Sequence, residues 1–454
     1  EGKKEHMKKL LTLSLAGLLA VGAVGCSKKE AASSQKESEE TTLHISGLDG
    51  GYGTKGWEAV VKAFEEKEGV KVDLRLEKNI ADTLRSEVQA GTYPDLVYLS
   101  VGSKGGLTDT MIAEKMLTDI TSVLDEKVLG EDTKVKDKLI DGIYEGLATQ
   151  PYADGKLYLA PINYSPCGLF YNANLFKEKG WSVPTTWDEM WELGEKAKAE
   201  GISLFTYPTT GYFDAFFSAL LNETAGPEVY AKLMTYNVDA WKLPEVKKAF
   251  EIVGKLAQYV EPTTVANANG DNFKKNQQLI LDNKALFVPN GTWLPGEMKE
   301  APRANGFEWG FTALPKVTAT GDAYSTTFTE QVFIPKEAKN PELAKKFITF
   351  LYSDEATKLF YENGGAVMPT KDASKFIGKD DENALYYTIY DNGAKSNAVG
   401  FQVMDNIVEG VSVADANTGV LYATVNSIVN GSKTVDEWYE ATVKAVEQIA
   451  EANK

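Results

Sequence analysis

From Asp154 to Asn172 the chain reads DGKLYLAPINYSPCGLFYN, an apolar run that opens on an Asp-Gly turn signal and is broken by Pro161 and Pro166 before resuming at Leu169, Phe170 and Tyr171. Proline has no backbone N–H to give to a ladder, so this pattern predicts two strand-like halves separated by a break. A segment of that form suits a chain that leaves one lobe, crosses the floor of a cleft and enters another. Asn163 and Tyr164, at the break, are expected where a ligand can touch them. Cys167 lies in apolar, proline-flanked surroundings and is expected to pack rather than react.

The first residues do not belong to a fold. Lys8 and Lys9 follow Met7, an apolar run extends from Leu10 to Val24, and small residues lead through Gly25 into Cys26. A short charged region, an apolar stretch too short for a typical spanning helix and a small-residue cleavage site read as an export signal over residues 1–25, starting at Met7. Glu1 to His6 carry no expected function. The cysteine after the small residues resembles a bacterial lipobox, although Ala23 stands where that motif usually has leucine. The resemblance implies that Cys26 becomes a lipidated N-terminus. From Ser27 to Thr42 no apolar residue is larger than alanine, so residues 26–42 read as a lipidated cysteine and a flexible tether. Together these features predict a protein anchored by lipid on the extracytoplasmic face of the cell membrane.

Behind the tether remain roughly 410 residues, room for two lobes at about 100 to 200 residues each. A formal charge of −17 argues against a nucleic-acid surface, which needs clustered Lys and Arg. The chain has 2 cysteines, so with Cys26 lipidated no intramolecular disulfide can form. Beyond His6 the one histidine is His44, inside the first strand-like run, which argues against Ser-His-Asp triads, Cys-His pairs and histidine-rich metal sites. No GxGxxG spacing points to a dinucleotide, and no cofactor or intrinsic metal is expected, although the acidic surface leaves calcium open. Paired carboxylates, as in a cell-surface glycoside hydrolase, stay open as enzyme chemistry. A polyamine receptor, pairing aromatics with acids around a cation, is the other alternative.

The body opens with strand, loop, helix and strand. Leu43 and Ile45 begin the first strand, Asp49–Gly53 (DGGYG) forms a loop, and Trp57, Val60, Val61 and Phe64 recur at helical spacing. Gly69 ends that helix before the alternating run from Val70 to Leu76. Ligands of open α/β sheets bind beyond strand carboxyl ends, which nominates Asp49 and Tyr52. A helix is predicted from Ala81 to Ala90 and a buried strand from Pro94 to Ser100, with Asp95 structural. From Met111 to Leu139 the pattern reads as mixed but helical. Further on, Thr186 is expected to cap a helix carrying Trp187, Met190, Trp191 and Leu193. Ile202–Tyr207 is a short strand emptying into the aromatic loop TTGYFDAFF, from which Tyr212 is nominated, while Phe216 and Phe217 fit a core. Trp241 fits ligand contact or surface packing equally. Ala285–Pro289 reads as a strand that delivers Asn290–Trp293. Thr312–Pro315 reads as a strand toward the hinge and Thr326–Pro335 as the second crossing, with Glu330 and Gln331 lining the cleft. Gly364–Thr370 reads as a third crossing, followed by a mostly helical stretch with Phe401 and Gln402 in a contact loop and a terminal helix from Val435 to Ala450.

The run from Asp154 to Met190, with ALFVPNGTW at Ala285–Trp293 and VFIPKEAKNPELAKKFITFLY at Val332–Tyr352, resembles the family 1 extracellular solute-binding proteins of sugar ABC transporters. Asn163 to Gly211 is most similar to the branch that binds N-acetylglucosamine or chitobiose-like sugars. The resemblance implies an α/β, periplasmic-binding-protein-like fold with two lobes joined by about three crossings around a ligand cleft. Its expected limits are 43–160 plus about 328–365 for the first lobe and 164–325 plus about 370–454 for the second. It also implies a monomeric binding protein, not an enzyme, whose partners are a carbohydrate ligand and ABC permease subunits. Trp293 is the residue that in the family reaches toward the sugar. The ligand-binding set is then Asp49, Tyr52, Asn163, Tyr164, Tyr212, Trp293, Glu330 and Gln331.

Overall fold

The computed structural model describes residues 41–454. The export signal, Cys26 and all but the end of the tether lie outside the described residues. The strands are β1 (Leu43–Leu48), β2 (Val72–Glu77), β3 (Leu96–Tyr98), β4 (Leu159–Asn172), β5 (Ser203–Phe205), β6 (Ala285–Gly291), β7 (Trp309–Thr312), β8 (Tyr324–Phe333) and β9 (Lys395–Asn397). The helices that matter below are α1 (Lys55–Glu68), α2 (Ile80–Gln89), α3 (Trp187–Ala199), α4 (Phe213–Ala225), α5 (Pro227–Met234), α6 (Pro244–Leu256), α7 (Pro341–Leu351), α8 (Asp354–Gly364) and α9 (Val435–Ala452).

The strands run in the order β2-β1-β3-β8-β4-β6-β5, with β7 added on β4 and β9 on β8. Parallel pairs β1/β2 and β1/β3 make the first lobe's sheet, covered by α1. Trp57, Val60, Val61 and Phe64 are the buried face of α1, and Gly69 ends it at φ 65°. Phe64 meets Phe347 of α7 edge-on at 5.0 Å, and Trp57 lies 4.8 Å from the Tyr98 ring. The second lobe gathers Phe205, Phe216, Phe217, Phe250 and Trp438 from β5, α4, α6 and α9 into a separate apolar cluster. Each such side chain contributes about 1.5–3 kcal/mol by leaving water.

What joins the lobes is the antiparallel pair β4/β8. Its first-lobe half pairs Leu159–Ile162 with Glu330–Phe333, and its other half pairs Ser165 and Pro166 with Phe328 and Thr327. Between Ile162 and Ser165 the register shifts, so one extra β4 residue is accommodated in a bulge. Over Leu159–Ile162, β4 pairs with β8 alone and forms a sheet edge, where Pro161 withholds no needed N–H. Beyond Pro166 β4 leaves β8 to pair with β6 and β7.

Several expectations need correction. The strand expected at Thr312–Pro315 lies earlier, at Trp309–Thr312. Met111–Leu139 is mostly turns and short helical pieces, and so is much of the stretch from Thr370 to Asn430. Both stretches are held by backbone bonds to distant segments, such as Thr118 N to Ile334 O at 2.8 Å and Lys395 N to Ala323 O at 2.8 Å, which periodicity does not register. Gly364–Thr370 lies against the first lobe, where Tyr164 N donates to Val367 O at 3.0 Å. The chain next joins the crossing pair through β9, parallel to Tyr324–Thr326.

Candidate functional site

The β4 bulge is the place to begin. Asn163 has φ 50°, a left-handed conformation that asparagine tolerates better than most residues because its short amide bonds locally. Its side chain is buried, and Nδ2 donates to Glu330 Oε1 at 2.7 Å. The Tyr98 hydroxyl, at the end of β3, donates to the same oxygen at 2.5 Å. One carboxylate oxygen is thus gripped from two strands, while Oε2 has no protein hydrogen-bond partner among the described residues. Burial pushes Glu330 above the usual carboxylate range, against the pull of those two donors. Tyr52 lies beside this group, and burial together with the Glu330 charge pushes its hydroxyl up to about 12.

Tyr98 was not nominated by sequence. It fits because Gly47 lies opposite it in the β1/β3 register, and a Cβ on Gly47 would fall 2.7 Å from the Tyr98 Cβ.

On the other side of the bulge, Phe328 lies two residues before Glu330 on β8 and therefore shares its face. It is 41% exposed and stands edge-on to Tyr212 at 6.5 Å. Tyr212 starts α4 with φ 69°, a conformation costing about 1–3 kcal/mol in a residue with a Cβ. Its ring lies over Gly291 at the end of β6, where a Cβ would come within 2.8 Å of Cε1. Burial raises the Tyr212 hydroxyl, with Cys167, Glu297 and Asp214 adding to the effect. Thr292 Oγ1 bonds Ser165 Oγ at 2.7 Å, which ties the loop after β6 to the crossing strand. The next residue, Trp293, is 63% exposed. Asp214, in the first turn of α4, accepts from Ala215 N at 2.8 Å.

The nominated residues therefore separate. Asn163, Glu330 and Tyr52 come together on the first-lobe side, and Tyr212 and Trp293 on the second. Asp49 follows β1 as a partly exposed residue and makes no hydrogen bond to any of them. Tyr164, expected to face a ligand, is 1% exposed and packs edge-on against Tyr387 at 5.1 Å, so it is an interior residue here. Gln331 is turned inward as well, accepting from Val101 N at 2.9 Å and donating to Thr329 O at 2.7 Å. Alternation explains both: each neighbours a residue that faces the cleft and so points away from it. Trp241 is a core residue whose Nε1 donates to Leu233 O, and Phe401 stacks on it. Cys167 is buried, as its apolar surroundings implied. A separate cavity of about 150 Å³ includes Gly146, Tyr230, Met234 and Asn397 in its wall, and none of the nominated residues lines it.

The arrangement offers flat apolar faces at Trp293, Phe328 and Tyr212, a fixed acceptor at Glu330 and hydroxyls at Tyr52, Ser165 and Thr292. Such a set can receive a ligand with apolar C–H faces and a rim of hydroxyls. Among the described residues no cluster of three or more His, Cys, Asp and Glu is arranged to hold a metal.

Residues 59–385 match the family model described as bacterial extracellular solute-binding protein. The diacetylchitobiose binding protein NgcE of Streptomyces coelicolor is 27% identical over 331 residues, covering 70% of this chain and 68% of that protein. The galactooligosaccharide-binding protein of Bacillus subtilis is 25% identical over 373 residues, covering 80% and 81%. Among solved structures, apo RafE from Streptococcus pneumoniae aligns with a TM-score of 0.63 at 18% identity, covering 90% of this chain and 98% of that one. A family 1 extracellular solute-binding protein from Bifidobacterium longum subsp. infantis aligns equally well, with a TM-score of 0.63 at 19% identity.

Proposed function

The chain belongs to the bacterial extracellular solute-binding proteins, and from that footing we propose that it captures an oligosaccharide between its lobes and delivers it to an ABC permease. The family consists of binding proteins rather than enzymes. The observation that carries the reading is the division of the site along β4/β8. A doubly held Glu330 carboxylate stands on one side of the bulge, and the open Trp293 indole, tied to the crossing through Thr292 and Ser165, stands on the other. A ligand that touches both sides favours the arrangement in which both sets of contacts coexist, so binding draws the lobes together.

The proposed ligand contacts are Tyr52, Tyr212, Trp293 and Glu330, joined by Phe328, Ser165 and Thr292, with Asn163 and Tyr98 holding Glu330 from behind and Asp49 at the rim. The first lobe comprises 43–160 and about 328–365, the second 164–325 and about 370–454. Oligosaccharides built on N-acetylglucosamine lead the candidates because the relative from Streptomyces coelicolor is named for one. Cys26 is proposed as the lipid attachment that holds the protein, as a monomer, on the extracytoplasmic face of the membrane. The names of two Streptococcus pneumoniae relatives, both lipoproteins, favour that anchor.

Titration calorimetry on the full chain tests the reading, using N,N′-diacetylchitobiose beside galacto- and maltooligosaccharides, with the products analysed afterwards. A dissociation constant near 1 μM, equivalent to about −8.2 kcal/mol, with the sugar recovered intact is the expected result. Absence of binding to every oligosaccharide, or steady release of monosaccharide, would overturn it.

A further inference from the structure

The Glu330 carboxylate has an asymmetry that the capture of a plain sugar does not require. Oε1 takes both donors, Tyr98 Oη at 2.5 Å and Asn163 Nδ2 at 2.7 Å, and Oε2 takes none from the protein. The two donors come from β3 and from the β4 bulge, so they fix the carboxylate in place and leave its second oxygen without a protein donor among the described residues. No Lys, Arg or His forms an ion pair with Glu330 among the described residues, although ion pairs occur across the rest of the surface. Around it stand Tyr52 and Tyr98, which are neutral at physiological pH, and Asn163, whose buried Oδ1 also lacks a partner. Asp214, in the first turn of α4, is different, because a backbone N–H already serves it.

A carboxylate drawn partly out of water without a cation is an unbalanced group, and it gains most from a charged or strong N–H donor and least from another anion. Phe328, on the same face of β8, adds an aromatic face that also favours a cation. On the reading that the cleft takes an oligosaccharide, we infer that Glu330 sets its specificity by receiving a protonated amine of the ligand. The preferred ligands are then hexosamine oligosaccharides with at least one free amine, and acidic sugars are excluded. Tyr98 and Asn163 are positioning residues that hold Glu330 for this contact.

The test is calorimetry on the full chain at pH 6 and low salt with three disaccharides: unacetylated chitobiose, N,N′-diacetylchitobiose and digalacturonate, with spermidine as a fourth probe. Unacetylated chitobiose should bind about tenfold more tightly than the acetylated form, the gap between a charge-assisted and a neutral hydrogen bond, and digalacturonate should not bind. Glu330→Gln, nearly the same shape, should remove the amine advantage, so that the unacetylated and acetylated sugars bind the variant about equally whatever their absolute affinity, and an unchanged melting curve shows that it folds. Tyr98→Phe should reduce the advantage in part. If the acetylated sugar binds but the free amine gains nothing, or if the gain survives in Glu330→Gln, the inference is overturned and the cleft reading stands. If spermidine binds and no sugar does, both fall together.

Discussion

At the scale of single residues, the structure separates contact from support. Trp293 is 63% exposed, so Trp293→Ala should weaken oligosaccharide binding by more than tenfold while shifting the Tm by less than about 2 °C. Gly291 acts indirectly, since a methyl there would lift the Tyr212 ring. Gly291→Ala should reduce affinity severalfold, and Tyr212→Ala should abolish the difference between Gly and Ala at 291, a double-mutant cycle readable by calorimetry. Away from the cleft, Glu223 has one buried oxygen without a partner, and its other oxygen accepts from Tyr324 N at 3.1 Å. Burial raises its carboxyl well above the usual range, so the fold binds this proton more tightly than the unfolded chain does. Its favourable contribution is full at pH below the unfolded value and fades as pH rises through the raised one. Glu223→Gln should therefore raise the Tm more at pH 8 than at pH 4.5; an equal shift at both would contradict the assignment. Residue chemistry was partly legible in the sequence. An indole after a strand, or an asparagine beside prolines, carries its own local signal. Tyr98 does not, because it becomes a site residue through Glu330, 232 positions away.

At the scale of elements, β4 and β8 were the most readable part of the chain. Pro161 and Pro166 mark the break whatever surrounds them, and the observed bulge falls between them. What could not be read was the side each residue faces. Neighbours on a strand face opposite ways, and local pattern does not say which of each pair faces the cleft, so Tyr164 and Gln331 entered the candidate set although both point inward. Asn163→Gly tests the bulge directly: it keeps the left-handed backbone but loses the bond to Glu330, so affinity should fall with little loss of stability. Asn163→Val, strained at φ 50°, should lower both. A second element-scale dependence lies at the start of α8, where buried Lys138 pairs with Asp354 at 2.9 Å and with Glu131. Removing the cation takes the charged partner from Glu131, while Asp354 keeps Lys375 at 2.7 Å, so Lys138→Ala should cost about 2 kcal/mol, read as a lower urea midpoint for the first lobe. The turn-rich stretches before β4 and after Thr370 were misread as helical because their backbone partners lie far away in sequence.

At the scale of the whole molecule, two lobes meet along a paired crossing whose polar and aromatic side chains come from both. Family membership supplies solute capture, and the position of Glu330, Asn163 and Tyr52 opposite Tyr212, Phe328 and Trp293 supplies the place where it should happen. The proline-broken crossing was legible from local pattern and the two-lobe architecture from the family resemblance, whereas the partition of contacts between lobes required long-range pairing. Hydrogen–deuterium exchange of the full chain, with and without a saturating mixture of glucosamine-, galactose- and glucose-based oligosaccharides, tests the central claim most directly. Protection should concentrate in peptides covering Tyr52, Asn163, Tyr212, Trp293 and Glu330, on both sides of the crossing at once. Unchanged exchange in all of them, or protection confined to the separate cavity around Gly146 and Tyr230, would contradict capture between the lobes.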